Sequence, residues 1–152
     1  MALEEGSPAP DFELESDTGE RVSLSGLRGQ PVVLYFYPKD DTPGCTLQAC
    51  EIRDSWSDFE ELGAAVLGVS PDSVESHEKF RAKYDLPFTL LADPDHEVSE
   101  LYGVWGEREY AGKKYIGVER STFLIDADGN LAGVMRGVKP AEHAGDVLAA
   151  LA

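Results

Sequence analysis

The chain has 152 residues and a formal charge of −16, from 13 basic against 29 acidic side chains, with 42% hydrophobic residues. That length suits one domain spanning residues 1–152 with a real core, and six Tyr, six Phe and two Trp argue against a disordered chain. The charge argues against nucleic acid or anionic lipid as a partner, and no window approaches the run of about 18 apolar residues needed to span a membrane.

The N-terminus, MALEEGSPAPDF, lacks the basic and apolar regions of a signal peptide, so a cytoplasmic location is expected. The acidic residues are scattered, as on a well-solvated surface; adaptation to a salt-rich cytoplasm is the other reading. Residues Phe12-Glu13-Leu14 and Val22-Ser23-Leu24 alternate around DTGE and predict a small N-terminal hairpin. Val32 to Tyr37 is apolar on both faces, as in a buried central strand, and Pro38 ends it. A helical pattern runs from about Thr46 to Leu62, with Ile52, Trp56, Phe59 and Leu62 on one face and Gly63 as the stop.

Ala65 to Ser70 reads as a second buried strand and Val74 to Tyr84 as a helix capped by Ser73 or Asp72. Phe88 to Leu91 is a short strand. Asp93-Pro94 predicts a helix start, closed at Gly103. Thr122–Ile125 and Leu131–Val134 flank Asp126-Ala127-Asp128-Gly129-Asn130 as a hairpin, and Ala141 to Leu151 makes a last helix. This order predicts a thioredoxin-like three-layer α/β/α domain with a central mixed sheet and an N-terminal β-hairpin extension. Its right-handed crossover makes the Val32 and Ala65 strands parallel.

Both cysteines lie in DTPGCTLQAC, where the central strand hands over to a helix. Ligands in open α/β sheets bind beyond the carboxyl ends of the strands. Thr42-Pro43-Gly44 gives a tight entry that leaves Cys45 in or just before the first helical turn, where free N–H groups and the helix dipole favour a thiolate. Cys50 follows five residues later, about 7.5 Å along the axis and roughly 8.6 Å Cα to Cα. A disulfide needs about 7 Å or less, so the pair joins only if the helix unwinds locally.

A reducing compartment disfavours a permanent bridge, and paired cysteines there are more often catalytic or metal-binding. Two cysteines and the scattered His77, His96 and His143 are a poor match to a zinc or iron–sulfur ligand set, which usually needs about four ligands. Two inert buried cysteines and a transient disulfide are the remaining readings.

The segment Tyr37-Pro38-Lys39-Asp40-Asp41-Thr42-Pro43-Gly44-Cys45-Thr46 matches the P-x-x-x-T-x-x-C signature of peroxiredoxins. With Gln48, Ala49 and Cys50 it resembles the bacterioferritin comigratory protein, or Q-type, branch. The resemblance continues through FTLL at Phe88–Leu91, YGVWG at Tyr102–Gly106 and RSTFLID at Arg120–Asp126.

It implies a thiol peroxidase in which Cys45 attacks a hydroperoxide and becomes a sulfenic acid. Cys50 then resolves it to an intramolecular disulfide, which thioredoxin or a glutaredoxin-like dithiol protein reduces. It also implies that Arg120 holds the Cys45 thiolate and polarises the peroxide, that Thr42 bonds thiolate or peroxide through its hydroxyl, and that Pro38 shields the pocket. The branch is frequently monomeric, so a monomer is expected.

Gln48 is placed in the first turns, packing near the pocket, with no chemical role; Trp105 is read as packing rather than lining the peroxide pocket, and Glu51 as solvated. Asp126-x-Asp128-Gly129-Asn130 is a turn rather than a calcium loop, since glycine falls at the fourth position and no glutamate at the twelfth. Asp93-Pro94-Asp95-His96-Glu97 reads as a capped helix start. No phosphate loop or dinucleotide fingerprint occurs, and no cofactor is expected. The alternatives are a general thiol–disulfide oxidoreductase, which usually uses C-x-x-C, and a holdase or redox-sensing protein.

Overall fold

The computed structural model describes residues 3–151. Its largest sheet has seven strands in the order β2-β1-β5-β4-β3-β8-β9. They are β1 Glu13–Ser16, β2 Arg21–Ser23, β3 Val32–Phe36, β4 Ala65–Ser70, β5 Thr89–Ala92, β8 Ser121–Ile125 and β9 Leu131–Arg136. The pair β6 Trp105–Tyr110 and β7 Lys113–Val118 forms a separate two-stranded ribbon.

The helices are α1 Pro43–Asp54, α2 Trp56–Glu61, α3 Val74–Tyr84, α4 Glu97–Leu101 and α5 His143–Leu151. Strands β3, β4 and β5 run parallel, with Val32 opposite Ala65 and Leu67 opposite Thr89, while β8 and β9 run antiparallel. The chain is thus the expected mixed α/β sandwich. The N-terminal hairpin is more than an appendage, because Glu15 and Ser16 pair with Ala92 and Leu91 and extend the sheet itself.

The continuous apolar run of β3 is buried throughout because each face of the strand meets a different layer. Val33 and Tyr35 join Ala49 and Ile52 of α1, Phe59 of α2, Phe80 of α3 and Val147 of α5 in one cluster. Val32, Leu34 and Phe36 face the other way, toward Phe12, Leu24, Val98 of α4, Tyr102 and Val118. Full burial of such side chains stabilises the fold by about 1.5–3 kcal/mol each. Gly68 of β4 is needed for close approach, since a Cβ there would lie 2.9 Å from the Tyr35 ring and hydroxyl.

Three element boundaries differ from expectation. The helix predicted over Thr46–Leu62 begins at Pro43 and breaks at Ser55, whose φ of −103° and ψ of 15° leave the helical region. Leu62 then sits 36% exposed rather than on the buried stripe. The Asp93-Pro94 start is displaced: α4 begins at Glu97, after His96 at φ 48°, and Asp93 works from outside the helix by accepting from the Val98 and Ser99 amides. The β6–β7 ribbon was not predicted at all. No helix among the described residues is long and apolar enough to cross a membrane.

Candidate active site

Local chemistry starts α1 where the site lies. Thr42 is extended, at φ −94° and ψ 156°, and Pro43 occupies the first turn, where its missing N–H and fixed φ cost nothing. The first helical bond runs from the Thr46 amide to the Thr42 carbonyl at 2.8 Å. Cys45 therefore falls in the first turn, among amides with no intrahelical acceptor, and no acidic side chain sits in that turn to compete for them. Its side chain is buried, with 2% of the residue exposed, against Tyr35, Ala49 and Ala144.

Arg120, at the loop leading into β8, is the charged group that reaches this sulfur. Its Nη2 donates to Cys45 Sγ at 3.4 Å and its Nη1 donates to Gln48 Oε1 at 2.5 Å. One planar guanidinium thus spans Cys45 and the next turn of the same helix. Gly44 leaves the room: a Cβ there would come within 3.2 Å of Arg120 Nη2 and 3.5 Å of Pro140. The Arg120 carbonyl accepts from the Val138 amide, which ties the arginine to the end of β9.

Of the residues singled out from sequence, Cys45 and Arg120 are in contact. Thr42 is the residue before α1, but its hydroxyl caps nothing; it donates to the Lys39 carbonyl at 2.9 Å and closes the loop on itself. Pro38 is half-buried at the end of β3. Cys50 is half-buried on the intact helix, and both thiols are free. Trp105 stacks on His96 at 4.0 Å and packs against the cluster on the far face of the sheet, where it lines a surface pocket with Tyr115 and Ile116, away from Cys45. Asp126 accepts from the Asp128 and Asn130 amides, as a turn does.

Sequence reasoning missed three contributors. Gln48 is completely buried, with Nε2 finding no protein partner among the described residues. His143, first residue of α5, exchanges a 2.6 Å hydrogen bond with the Thr122 hydroxyl; burial and then the Arg120 charge lower its pKa to about 4, so it stays neutral. Tyr35 lies beneath α1 against the His143 ring, and burial, then the Cys45 charge, push its hydroxyl well above the ordinary range. Gln48, three residues after Cys45 on the same helix, carried a usable signal; the other two depend on long-range packing.

The chain is similar to known proteins over nearly its whole length. The AhpC/TSA family pattern matches residues 6–134. Peroxiredoxin Bcp of Bacillus subtilis is 52% identical over 151 residues, covering 99% of this chain and 96% of that protein. Peroxiredoxin Bcp of Escherichia coli is 48% identical over 141 residues, covering 93% and 90%. The structure of bacterioferritin comigratory protein from Xanthomonas campestris, described for its alkyl peroxide reduction activity, superposes with a TM-score of 0.90 at 39% identity and covers 97% of both chains.

Proposed function

The chain belongs to the AhpC/TSA family and is a peroxidase of the peroxiredoxin class, and from that premise we propose how its own residues run the reaction. Cys45 is the peroxidatic thiolate. Its sulfur attacks the terminal oxygen of a hydroperoxide ROOH; the S–O bond forms, the O–O bond breaks, and RO⁻ leaves and takes a proton to become water or an alcohol. Arg120 is the group that stabilises charge as it moves from sulfur to the leaving oxygen. Thr42 and Pro38 shape the entrance, and a turn of the Thr42 hydroxyl away from Lys39 would supply a further bond to the peroxide.

Cys50 is the resolving cysteine. Its sulfur attacks the Cys45 sulfenic acid, the S–S bond forms and the S–OH bond breaks, with hydroxide leaving as water on the Cys50 proton. A dithiol reductant of the thioredoxin or glutaredoxin-like kind then restores both thiols. Organic hydroperoxides are proposed alongside hydrogen peroxide, in keeping with the Xanthomonas campestris relative. The whole of residues 1–152 acts as one domain and one monomer, in the cytoplasm, in defence against peroxide stress.

The observation that carries this reading is the Arg120 Nη2 to Cys45 Sγ contact at the start of α1. The test is peptide mass spectrometry after one equivalent of hydrogen peroxide, on wild type and Cys50→Ser. A Cys45–Cys50 linkage in the first and a dimedone-trapped sulfenic acid on Cys45 in the second are expected. Reduced cysteines in both, while a simple thiol control oxidises, would sink the assignment.

A further inference from the structure

The loop between β3 and α1 carries Pro38 and Thr42, yet its own side chains point elsewhere, into α3. Asp40 Oδ2 lies 2.7 Å from His77 Nδ1 and accepts from the Ser76 hydroxyl at 2.8 Å, while Oδ1 accepts from the Tyr37 hydroxyl at 2.5 Å. The Asp40 amide donates to Asp72 Oδ2 at 2.8 Å, and that oxygen also accepts from the Ser70 hydroxyl. His77 is fully buried and the Asp40 side chain is 4% exposed.

The other ring nitrogen fixes the proton count. His77 Nε2 faces the Leu91 carbonyl at 2.8 Å, an oxygen that only accepts, so Nε2 carries hydrogen. Asp40 receives hydroxyl donors on both oxygens, and a single proton joins its Oδ2 to His77 Nδ1 across 2.7 Å, inside the protein. Burial and the Asp40 charge hold the Tyr37 hydroxyl far above its ordinary range, so it remains a donor. Asp40, Asp72 and His77 bring three ligand-type atoms within 4.8 Å, but hydrogen bonds among themselves and to Tyr37, Ser70 and Ser76 already occupy these atoms.

A buried polar pair of this kind is poor evidence of stability, because desolvation offsets most of the attraction, but it is a stiff and directional tie. Asp41 adds a second tie: at φ 56° it turns back and its carboxylate accepts from Lys83 Nζ and the Tyr84 hydroxyl at the other end of α3. The loop that presents the nucleophile is therefore bolted to a helix that contributes no residue to the Cys45–Arg120 contact.

We propose that His77 is a positioning residue for the peroxide reaction: paired with Asp40, it fixes loop 38–42 on α3 and so sets Thr42 and the first turn of α1 around Cys45. The role rests on Cys45 being the peroxidatic residue. It concerns only the fully folded helix in which peroxide is attacked, so closure of the disulfide, which requires that helix to unwind, is independent of it.

The experiment is stopped-flow tryptophan fluorescence on the full chain with hydrogen peroxide, which separates sulfenic acid formation from disulfide closure. It is paired with the pH dependence of Cys45 alkylation by iodoacetamide in a Cys50→Ser background. The variants are His77→Asn, Asp40→Asn and the double variant. Each single change slows the peroxide step tenfold or more and moves the alkylation midpoint upward, closure stays within twofold of wild type, and the double variant is no slower than the worse single one.

A peroxide rate and alkylation midpoint like wild type in either folded single variant overturns the proposal. So does equal slowing of both steps, which would mark a merely structural role. Asp40→Asn keeps a hydrogen bond to His77 and is the variant that decides if His77→Asn fails to fold. A wild-type protein inert to peroxide overturns the peroxidase reading instead, and the alkylation profiles, which need no peroxide, still decide the role of His77.

Discussion

Gln48 accepts from Arg120 at 2.5 Å, so the helix that carries Cys45 also holds the arginine that contacts its sulfur. Arg120 has a partner on each terminal nitrogen, and both partners lie in the first turns of α1. When the segment between Cys45 and Cys50 unwinds in the proposed cycle, Gln48 leaves with it and Arg120 loses both contacts together. Gln48→Leu keeps the volume and removes the acceptor. A net hydrogen bond to a charged group contributes about 1.5–3 kcal/mol, so a fall of about tenfold or more in the peroxide rate is expected, with disulfide closure unchanged. A stopped-flow trace with a normal first phase would refute this.

Gly44 makes the same point from sterics. Its substitution by alanine sets a methyl within 3.2 Å of Arg120 Nη2, and Gln48 prevents the guanidinium from yielding freely on its other side. Alanine lowers the entropy of the unfolded chain, and Gly44 has no positive φ to forbid it. Gly44→Ala is therefore expected to leave thermal stability unchanged or raise it by about 0.5 kcal/mol while slowing the peroxide step several-fold. Loss of stability together with normal activity is the result that contradicts it.

The parts legible in the sequence are those whose signal is local. The strands β3 and β4 show as unbroken apolar runs, and the strand-to-helix position of Cys45 follows from Pro38, Pro43 and Gly44. The ribbon β6–β7 was hidden because Glu107, Arg108, Glu109, Lys113 and Lys114 interrupt any apolar alternation, and its turn is Ala111-Gly112, both at positive φ, rather than a strong turn pair. The break at Ser55 has no glycine or proline to announce it. The contacts that finish the site join residues 72 apart, as in Gln48 and Arg120, or 37 apart, as in Asp40 and His77, and no periodicity encodes such pairs.

The far end of α1 is tied as well. Arg53 Nη1 donates to the Tyr84 carbonyl at 2.7 Å, joining the C-terminal turn of α1 to that of α3. Arg53 thus anchors the far end of the stretch that unwinds in the proposed cycle. Arg53→Met keeps the aliphatic stem and removes the donor. The expected outcome is faster disulfide closure, by several-fold, with an unaltered peroxide rate and a stability loss of about 1 kcal/mol. Slower closure would mean that the anchor guides Cys50 to Cys45 rather than restraining it.

His143 gives a stability prediction with a defined pH window. Burial and the Arg120 charge lower its pKa from 6.5 to about 4, with the Thr122 hydroxyl and the Tyr35 ring as its other neighbours. Below pH 6.5 the unfolded chain binds a proton that the folded chain refuses until about pH 4. Unfolding is then favoured by added protons, so the stability is fully present above pH 6.5, declines as pH falls and levels off near pH 4. The span corresponds to a loss on the order of 3 kcal/mol. His143→Leu removes the titrating group, so its urea midpoint should fall less than that of wild type between pH 7 and pH 5, above the range where most carboxylates titrate. Parallel profiles for the two proteins would show that His143 titrates alike in the folded and unfolded chains.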